Sequence, residues 1–104
     1  MKIIVKDIIN KDKCLSLSDG KILYDVLEKQ YCLLGEYEQL IIDFTDIKKI
    51  TSTFINVSIC RIFGLDEPKI ILSKIYLYGL DIANFDKIWH HYENAIEFYK
   101  NKVN

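Results

Sequence analysis

The spacing of hydrophobic and polar positions predicts three main strands and one shorter strand. KIIVKDII, residues 2–9, is rich in β-branched residues and apolar on both faces of a pleat, which is typical of a strand inside a sheet. QLIIDF, residues 39–44, is a short apolar run between polar residues and predicts a central buried strand. KIYLYG, residues 74–79, predicts a third strand, and a shorter one is expected over residues 14–17.

Helical periodicity is found after two of these predicted strands, residues 14–17 and residues 39–44. Ser18 can cap a helix that closes at Gly35 and whose apolar residues recur at intervals of three and four. Those apolar residues are Leu23, Val26, Leu27, Tyr31 and Leu34. A second helix is expected to begin at Ser52 or Thr53 and to run to Gly64.

Two further helices are predicted in the second half of the chain. Pro68 stands where a first helical turn tolerates proline, which predicts a short helix before Ser73. Asp81 caps a long last helix whose aromatic and aliphatic residues step by three and four along one face. That face comprises Ile82, Phe85, Trp89, Tyr92, Ile96 and Tyr99. We expect Trp89 to pack in the core and the final turns to offer Phe98 or Tyr99 to another chain.

Strands that alternate with helices imply right-handed crossovers and a largely parallel sheet. The prediction is therefore one α/β domain over residues 1–104, with helices packed on a mixed, mostly parallel sheet of about four strands. Half of the residues are hydrophobic and 28% are charged, which is the composition of a globular domain with a single core.

Net charge and hydropathy narrow the classes of partner. Fourteen basic residues against fifteen acidic ones leave a formal net charge of -1, so there is no excess of positive charge to hold a phosphate backbone. Nucleic acid is therefore not expected. Neither a signal-peptide pattern nor an apolar run long enough to cross a bilayer is found, so we expect no membrane association and a cytoplasmic location.

Residues that could carry metal or nucleophile chemistry form no recognisable motif. Cys14, Cys32 and Cys60 lack the close pairs of a zinc site and are interpreted as free, mostly buried thiols. His90 and His91 diverge by about 100° on a helix and are interpreted as solvated. No metal, no cofactor and no catalytic residue is therefore expected.

A small hydrolase that uses Cys60 or Ser52 as its nucleophile is the least favoured hypothesis. Neither residue has a nucleophile-elbow signature around it, and both histidines are far away in sequence. Such an enzyme would need a histidine within reach of one of the two nucleophiles.

Three hydroxyl residues, Thr51, Ser52 and Thr53, directly precede the apolar part of the second helix. Thr51 is predicted to cap the helix. Because a helix N-terminus also favours an anion, Ser52 is the leading candidate for phosphorylation, with Thr51 and Thr53 flanking it. Asp43 is expected at the end of its strand, bonded to amides of the next loop, and together with Asp46 it would repel a phosphate on Ser52.

IIDFTDIKKITSTFINVSICRIFG, residues 41–64, resembles the signature of the STAS-like domains of unknown function, which are relatives of the bacterial anti-sigma-factor antagonists. That signature is a strand with Asp-Phe, a loop, an isoleucine, a Ser/Thr cluster, a phenylalanine and a helix. CLSLSDGKILYDVL, residues 14–27, resembles the family's first helix and its approach, and SKIYLYGLDIANFDKIW, residues 73–89, resembles its later strand and last helix. The resemblance covers nearly the whole chain.

The resemblance implies a small α/β sandwich with a mixed sheet on one side and helices on the other, and a regulatory protein that is not an enzyme. In antagonists of this type, a GHKL-type serine kinase, itself the anti-sigma factor, phosphorylates a serine at the start of the helix after the Asp-containing strand. Asp43 matches that strand residue, and Ser52 matches the phosphorylated serine. TFIN, residues 53–56, stands where antagonists have a second serine and a Gly-Leu-Gly type run, so the docking surface differs.

Two hypotheses about function follow. The first is a non-enzymatic regulatory module that binds a protein partner, such as a histidine-kinase-like ATPase, and is switched by phosphorylation of Ser52. The alternative is an inhibitor from a phage or another mobile element that blocks a host complex by binding, without phosphorylation. A homodimer is a further alternative for the partner. The candidate partner-binding residues are Asp43, Asp46, Phe54, Asn56, Phe98 and Tyr99.

Overall fold

Two small parallel sheets organise the chain. The computed structural model describes residues 1–103, with side chains through residue 100. Within this part of the chain the strands are β1 (Lys2–Ile4), β2 (Lys13–Cys14), β3 (Leu40–Asp43), β4 (Lys49–Ile50) and β5 (Ile75–Tyr78). One sheet has the order β1-β3-β5, the other pairs β2 with β4, and all of these pairings are parallel. The predicted α/β class with a mostly parallel sheet and packed helices is confirmed.

The helices lie on one face of the larger sheet. They are α1 (Val5–Ile9), α2 (Leu17–Cys32), α3 (Ser52–Val57), α4 (Pro68–Lys74) and α5 (Ile82–Val103), with a 3₁₀ helix at Arg61–Gly64. Because the chain crosses the sheet in one direction, from β1 to β3 to β5, right-handed crossovers place the connecting helices on the same face. Ile3 and Ile42 on that face are buried, whereas Ile4, Tyr76 and Tyr78 on the other face are exposed.

The predicted strand over residues 2–9 is wrong in its second half. The chain leaves the sheet after Ile4 and turns into the short helix α1, whose Val5 and Ile9 lie on one side and are buried. Asn10, in the left-handed conformation with φ of 57°, ends this helix. A short apolar run fits a buried strand and a buried helix equally well, so periodicity alone did not separate the two.

The segment between the first strand and the first long helix also differs from the prediction. The strand expected over residues 14–17 is shorter and begins one residue earlier, as β2. The cap of α2 is Ser16, whose hydroxyl accepts a hydrogen bond from the Asp19 amide at 3.1 Å, and not Ser18. The two-residue strand β4, which pairs with β2, was not predicted, because KI carries no strand pattern of its own.

The second predicted helix is broken at Ser58. The helix α3 ends at Val57, and Ser58 has φ of −114° and ψ of −92°, outside the helical region. The Ser58 hydroxyl donates a hydrogen bond to the carbonyl oxygen of Phe54 at 2.6 Å, a contact that bends helices because it competes with the backbone ladder. The remainder of the predicted helix is a turn and the 3₁₀ helix.

The buried stripe of α5 begins later than predicted, at Ile88, because Ile82 is 82% exposed and Phe85 is 45% exposed. Asp81 caps the helix as expected, since its carboxylate accepts a hydrogen bond from the Asn84 amide at 2.8 Å. Ile88 and Tyr92 are buried, but Trp89 is 45% exposed, so the prediction that Trp89 packs in the core is wrong. The helix packs against α3 and the 3₁₀ helix, and these neighbours decide which face is covered. Within residues 1–103, none of the helices is both long enough and apolar enough to cross a membrane.

Candidate functional site

The Thr51 hydroxyl is engaged in hydrogen bonds with backbone groups around it. Its hydroxyl oxygen accepts a hydrogen bond from the Phe54 amide at 3.2 Å, which confirms the predicted cap of α3. The same hydroxyl donates to the carbonyl oxygen of Leu15 at 2.9 Å, so it is used both as acceptor and as donor. Ser52 and Thr53, by contrast, are exposed at the start of α3. Of the three hydroxyl residues, Thr51 therefore has a structural role and the other two are accessible.

Ser52 lies directly against α5. Its Oγ is 3.0 Å from Nε2 of His91, a residue 39 positions later in the chain, and the two atoms share a hydrogen bond. Lys87, one helical turn before His91, donates from Nζ to the carbonyl oxygen of Ile50 at 2.8 Å. Two basic side chains of α5 thus reach the junction between β4 and α3. The interpretation of His91 as a solvated surface residue is wrong, since it is partly buried and bonded to Ser52.

The surroundings of His91 disfavour its protonation. Partial burial, followed by the electrostatic influence of His90 and Lys87, lowers the pKa of the His91 imidazole below its ordinary value. Burial disfavours the charged form, and neighbouring positive charge acts in the same direction. The imidazole that contacts the Ser52 hydroxyl is therefore held in its neutral form at neutral pH.

A cleft opens between α3 and α5, one helical turn beyond the Ser52–His91 contact. It has a volume of about 260 Å³ and is lined by Asn56, Cys60, Asn94, Ala95, Phe98 and Tyr99. Asn56 follows Ser52 by four residues and Ala95 follows His91 by four, so the two helices advance side by side in the same direction. We call this feature the α3–α5 cleft.

Three of the predicted partner-binding residues meet in the α3–α5 cleft. Asn56 comes from α3, and Phe98 and Tyr99 come from the last turns of α5. Phe98 is 56% exposed, whereas Tyr99 is partly buried and its ring lies close to the backbone of Gly64. Tyr99 also borders a larger groove of about 1000 Å³ beside the 3₁₀ helix and the start of α4. Phe98 is therefore the large apolar side chain that this cleft presents to solvent.

Phe54 is not a docking residue. Its side chain is 0% exposed and belongs to the hydrophobic core, so its assignment as a partner-binding candidate is wrong. In a helix that starts at Ser52, position 54 faces inward while positions 52, 53 and 56 face outward. Phe54 stabilises the packing of α3 and offers nothing to a partner.

Asp43 has a structural role at the end of β3. Its Oδ1 accepts hydrogen bonds from the amide of Thr45 at 2.9 Å and from the Thr45 hydroxyl at 2.6 Å, and its Oδ2 is 3.2 Å from Nζ of Lys2. Burial acts to raise the pKa of Asp43, but these hydrogen bonds and the ion pair outweigh it and hold the pKa below its ordinary value. The predicted contact with the loop amides is confirmed. With 5% exposure, however, Asp43 is not a surface for a partner, and that assignment is wrong.

Asp46 is exposed in the turn that follows β3, where it adopts the left-handed conformation with φ of 65°. It does not line the α3–α5 cleft within the described part of the chain. The groups that shift the pKa of His91 are His90 and Lys87, not Asp43 or Asp46. The expected repulsion between a phosphate on Ser52 and these two carboxylates stays a prediction.

The cysteines are free thiols, as predicted, with Cys14 and Cys60 buried and Cys32 exposed. Burial raises the pKa of the Cys60 thiol to about 12, so the nucleophilic thiolate is scarce at neutral pH. Cys60 is therefore a poor nucleophile although it lines the α3–α5 cleft. Among the side chains described, residues 1–100, there is no group of three His, Cys, Asp or Glu residues that could hold a metal ion.

Sequence reasoning missed the contribution of Lys87 and His91. The only signal was their spacing of four residues on a predicted helix, which places them on one face. Which element that face meets depends on the tertiary structure.

Comparisons with protein-family models, with curated proteins and with solved structures found no match. The likeness to STAS-like domains therefore stays a prediction that rests on the residues quoted above.

Proposed function

We propose that this protein is a non-enzymatic regulatory module that acts in the cytoplasm and docks a protein partner at the α3–α5 cleft. In this proposal, phosphorylation of Ser52 by a GHKL-type kinase, or by a related histidine-kinase-like ATPase, switches docking. The observation that carries the proposal is that the exposed Ser52 lies one helical turn from a cleft formed by Asn56, Phe98 and Tyr99.

The chemistry of the cleft supports a protein partner. Exposed aromatic side chains are enriched where interfaces gain most of their binding energy, and Phe98 projects such a side chain from a helix. The amides of Asn56 and Asn94 add polar groups that can fix the orientation of a bound segment. A phosphate at Ser52 would add close to two negative charges beside this surface without disturbing the core.

The N-terminus of α3 favours a phosphate less than the sequence suggested. The helix α3 has only six residues, so the dipole at its N-terminus is small. The Lys87 ammonium of α5, which reaches the carbonyl oxygen of Ile50 at the start of this segment, is the stronger reason for an anion at Ser52.

Phosphorylation of Ser52 is the first expected result. After incubation with a GHKL-type kinase from the same genome and ATP, mass spectrometry is expected to place the phosphate on Ser52, because Thr51 is occupied as the helix cap. The Ser52→Ala variant is the matched control and is expected to lose the modification. If neither Ser52 nor its neighbours at 51 and 53 are modified, the switch is absent and the mobile-element inhibitor becomes the better hypothesis.

The inhibitor alternative uses the same cleft without the phosphate. It is separated from the leading proposal by binding assays with Ser52→Ala. An inhibitor would bind its host complex as well with alanine at position 52 as with serine. A phosphorylation switch would lose its regulation while unmodified binding persisted.

A serine hydrolase is a second candidate function, because the Ser52–His91 contact meets the condition that a histidine lies within reach of the nucleophile. A catalytic histidine must take up a proton, and effective serine enzymes stabilise the resulting imidazolium with a carboxylate. Here partial burial, followed by His90 and Lys87, destabilises the imidazolium instead. The pair is thus a poor general base for acyl transfer.

We therefore expect a fluorophosphonate probe to label wild-type protein no more than it labels Ser52→Ala. Intact-protein mass spectrometry measures the mass added by the probe, and denatured protein provides the background. Labelling of Ser52 that is lost in His91→Gln would contradict the non-enzymatic proposal and establish an activated serine.

A further inference from the structure

Two basic side chains of α5 converge on the segment that carries Ser52. The Lys87 ammonium is bonded to the carbonyl oxygen of Ile50, and the His91 imidazole is bonded to the hydroxyl of Ser52. Lys87 and His91 are four residues apart and lie on one stripe of the helix. His91 contacts the Ser52 side chain itself, and Lys87 contacts the backbone two residues earlier. An anion attached to Ser52 Oγ would therefore form in contact with the imidazole and near the ammonium group.

We propose that Lys87 and His91 form an intramolecular receiving site for a phosphoryl group on Ser52, so that phosphorylation fastens the start of α3 to α5. This inference rests on the proposed function, because the ligand is the phosphate of that switch. It adds that the phosphate is held within the molecule, and that a partner recognises the α3–α5 cleft and not the phosphate itself.

The donors available at this place match a phosphate. An ammonium group has three donors, so Lys87 can keep its bond to Ile50 and reach a phosphate oxygen as well. Protonated imidazole is also a donor, and hydrogen bonds between charged partners are shorter and stronger than the neutral ones present now. The contact between His91 and unmodified Ser52 already holds the two side chains in place.

The other charged groups around His91 do not compete for this role. On α5 itself, His90 and Lys87 are the charged or titratable groups that act on the imidazole, and both lower its pKa. On the opposite side, the neutral Ser52 hydroxyl contacts it, and the first turn of α3 contains no acidic residue. None of the groups that shift the pKa of His91 is acidic, so a phosphate on Ser52 would act on the imidazole in the opposite direction to its present neighbours.

The proposal predicts opposite shifts of two pKa values. In the unmodified protein, burial and positive neighbours lower the pKa of His91. A phosphate in contact with the ring favours the imidazolium and raises the pKa of His91, while the imidazolium and Lys87 lower the second pKa of the phosphate. The two groups titrate as a coupled pair, so each is followed by its own signal.

The test uses the full chain with phosphoserine introduced at position 52 during translation, so that no kinase is needed. Nuclear magnetic resonance follows the His91 ring and the phosphorus signal from pH 5 to 9, an interval that contains the ordinary pKa values of both groups, about 6.5 and about 6. We expect the pKa of His91 to rise by about one unit or more, which is a tenfold change in proton affinity, relative to unmodified protein. The His90 ring is exposed and diverges from His91 by about 100° on the helix, so it is the internal control.

Substitution of Lys87 tests how much this residue contributes to holding the phosphate. Lys87→Gln is expected to raise the second pKa of the phosphate, whereas Lys29→Gln, which removes one charge from the exposed surface of α2, is expected to leave it unchanged. A His91 pKa that is the same in phosphorylated and unmodified protein would overturn the receiving site. That comparison needs no substitution, so it does not depend on whether Lys87→Gln folds. Because the phosphate is installed directly, failure here is distinct from failure of a kinase to modify Ser52.

Discussion

Replacing Phe54 by alanine is expected to lower the free energy of unfolding by about 3–5 kcal/mol, the usual cost of removing a buried aromatic ring from a core. The side chain is 0% exposed and lies in the helix that packs between α2 and α5. A loss of this size is a large part of the stability of a domain of this length. Urea denaturation followed by circular dichroism measures the change.

Thr53→Ala is the matched control for Phe54→Ala. The two residues are adjacent in α3, but Thr53 is exposed, so its replacement is expected to change the free energy of unfolding by less than about 0.5 kcal/mol. A cost below about 1 kcal/mol for Phe54→Ala would mean that the ring is not in the core. The prediction from the sequence that Phe54 binds a partner would then be supported again.

Replacing Phe98 by alanine is expected to weaken binding of the partner about thirtyfold or more, since truncation of a central aromatic residue in an interface costs about 2 kcal/mol or more. Phe98 is 56% exposed and lines the α3–α5 cleft beside Asn56. The kinase that modifies Ser52, or a host complex captured by pull-down, serves as the partner. Isothermal titration calorimetry gives the dissociation constants.

Phe85→Ala is the control for Phe98→Ala. Phe85 lies on the same helix and is 45% exposed, but it is outside the cleft, so we expect binding to stay within about twofold of wild type. Phe98 is a better choice than Tyr99, because the ring of Tyr99 packs next to Gly64 and its loss would disturb the fold. Equal weakening by both phenylalanine variants would argue against the cleft as the docking site.

The site also explains why three adjacent hydroxyl residues begin α3. Thr51 caps the helix and ties it to the carbonyl oxygen of Leu15. Ser52 faces α5 and its basic side chains, and Thr53 faces solvent. The capping role and a switch at the next residue are compatible, because different side chains carry them.

Local signals in the sequence were sufficient for several elements. The apolar run before Asp43 predicted β3, Pro68 predicted the start of α4, and Asp81 predicted the cap of α5. The Thr51 cap was predicted for the same reason. In each case the residues that determine the structure are within four positions of one another, so their interactions do not depend on the rest of the fold.

The candidate site was only partly predictable. Ser52, Asn56 and Phe98 were named from the sequence as separate candidates, and the structure brings them to one side of the molecule along α3 and α5. Phe54 was placed on the same surface, although a residue two positions after Ser52 on a helix points in a different direction. Sequence order indicated the segment correctly but not the face of the helix.

The sequence by itself determined the α/β class, the parallel strands and the starts of α3, α4 and α5, because periodicity and capping act over a few residues. Only the tertiary structure decided that residues 5–9 form a helix, that Trp89 lies outside the core, and that His91 meets Ser52 from 39 positions away. These outcomes depend on which helix packs against which neighbour. The burial of apolar area selects that packing over the whole chain, and no local pattern encodes it.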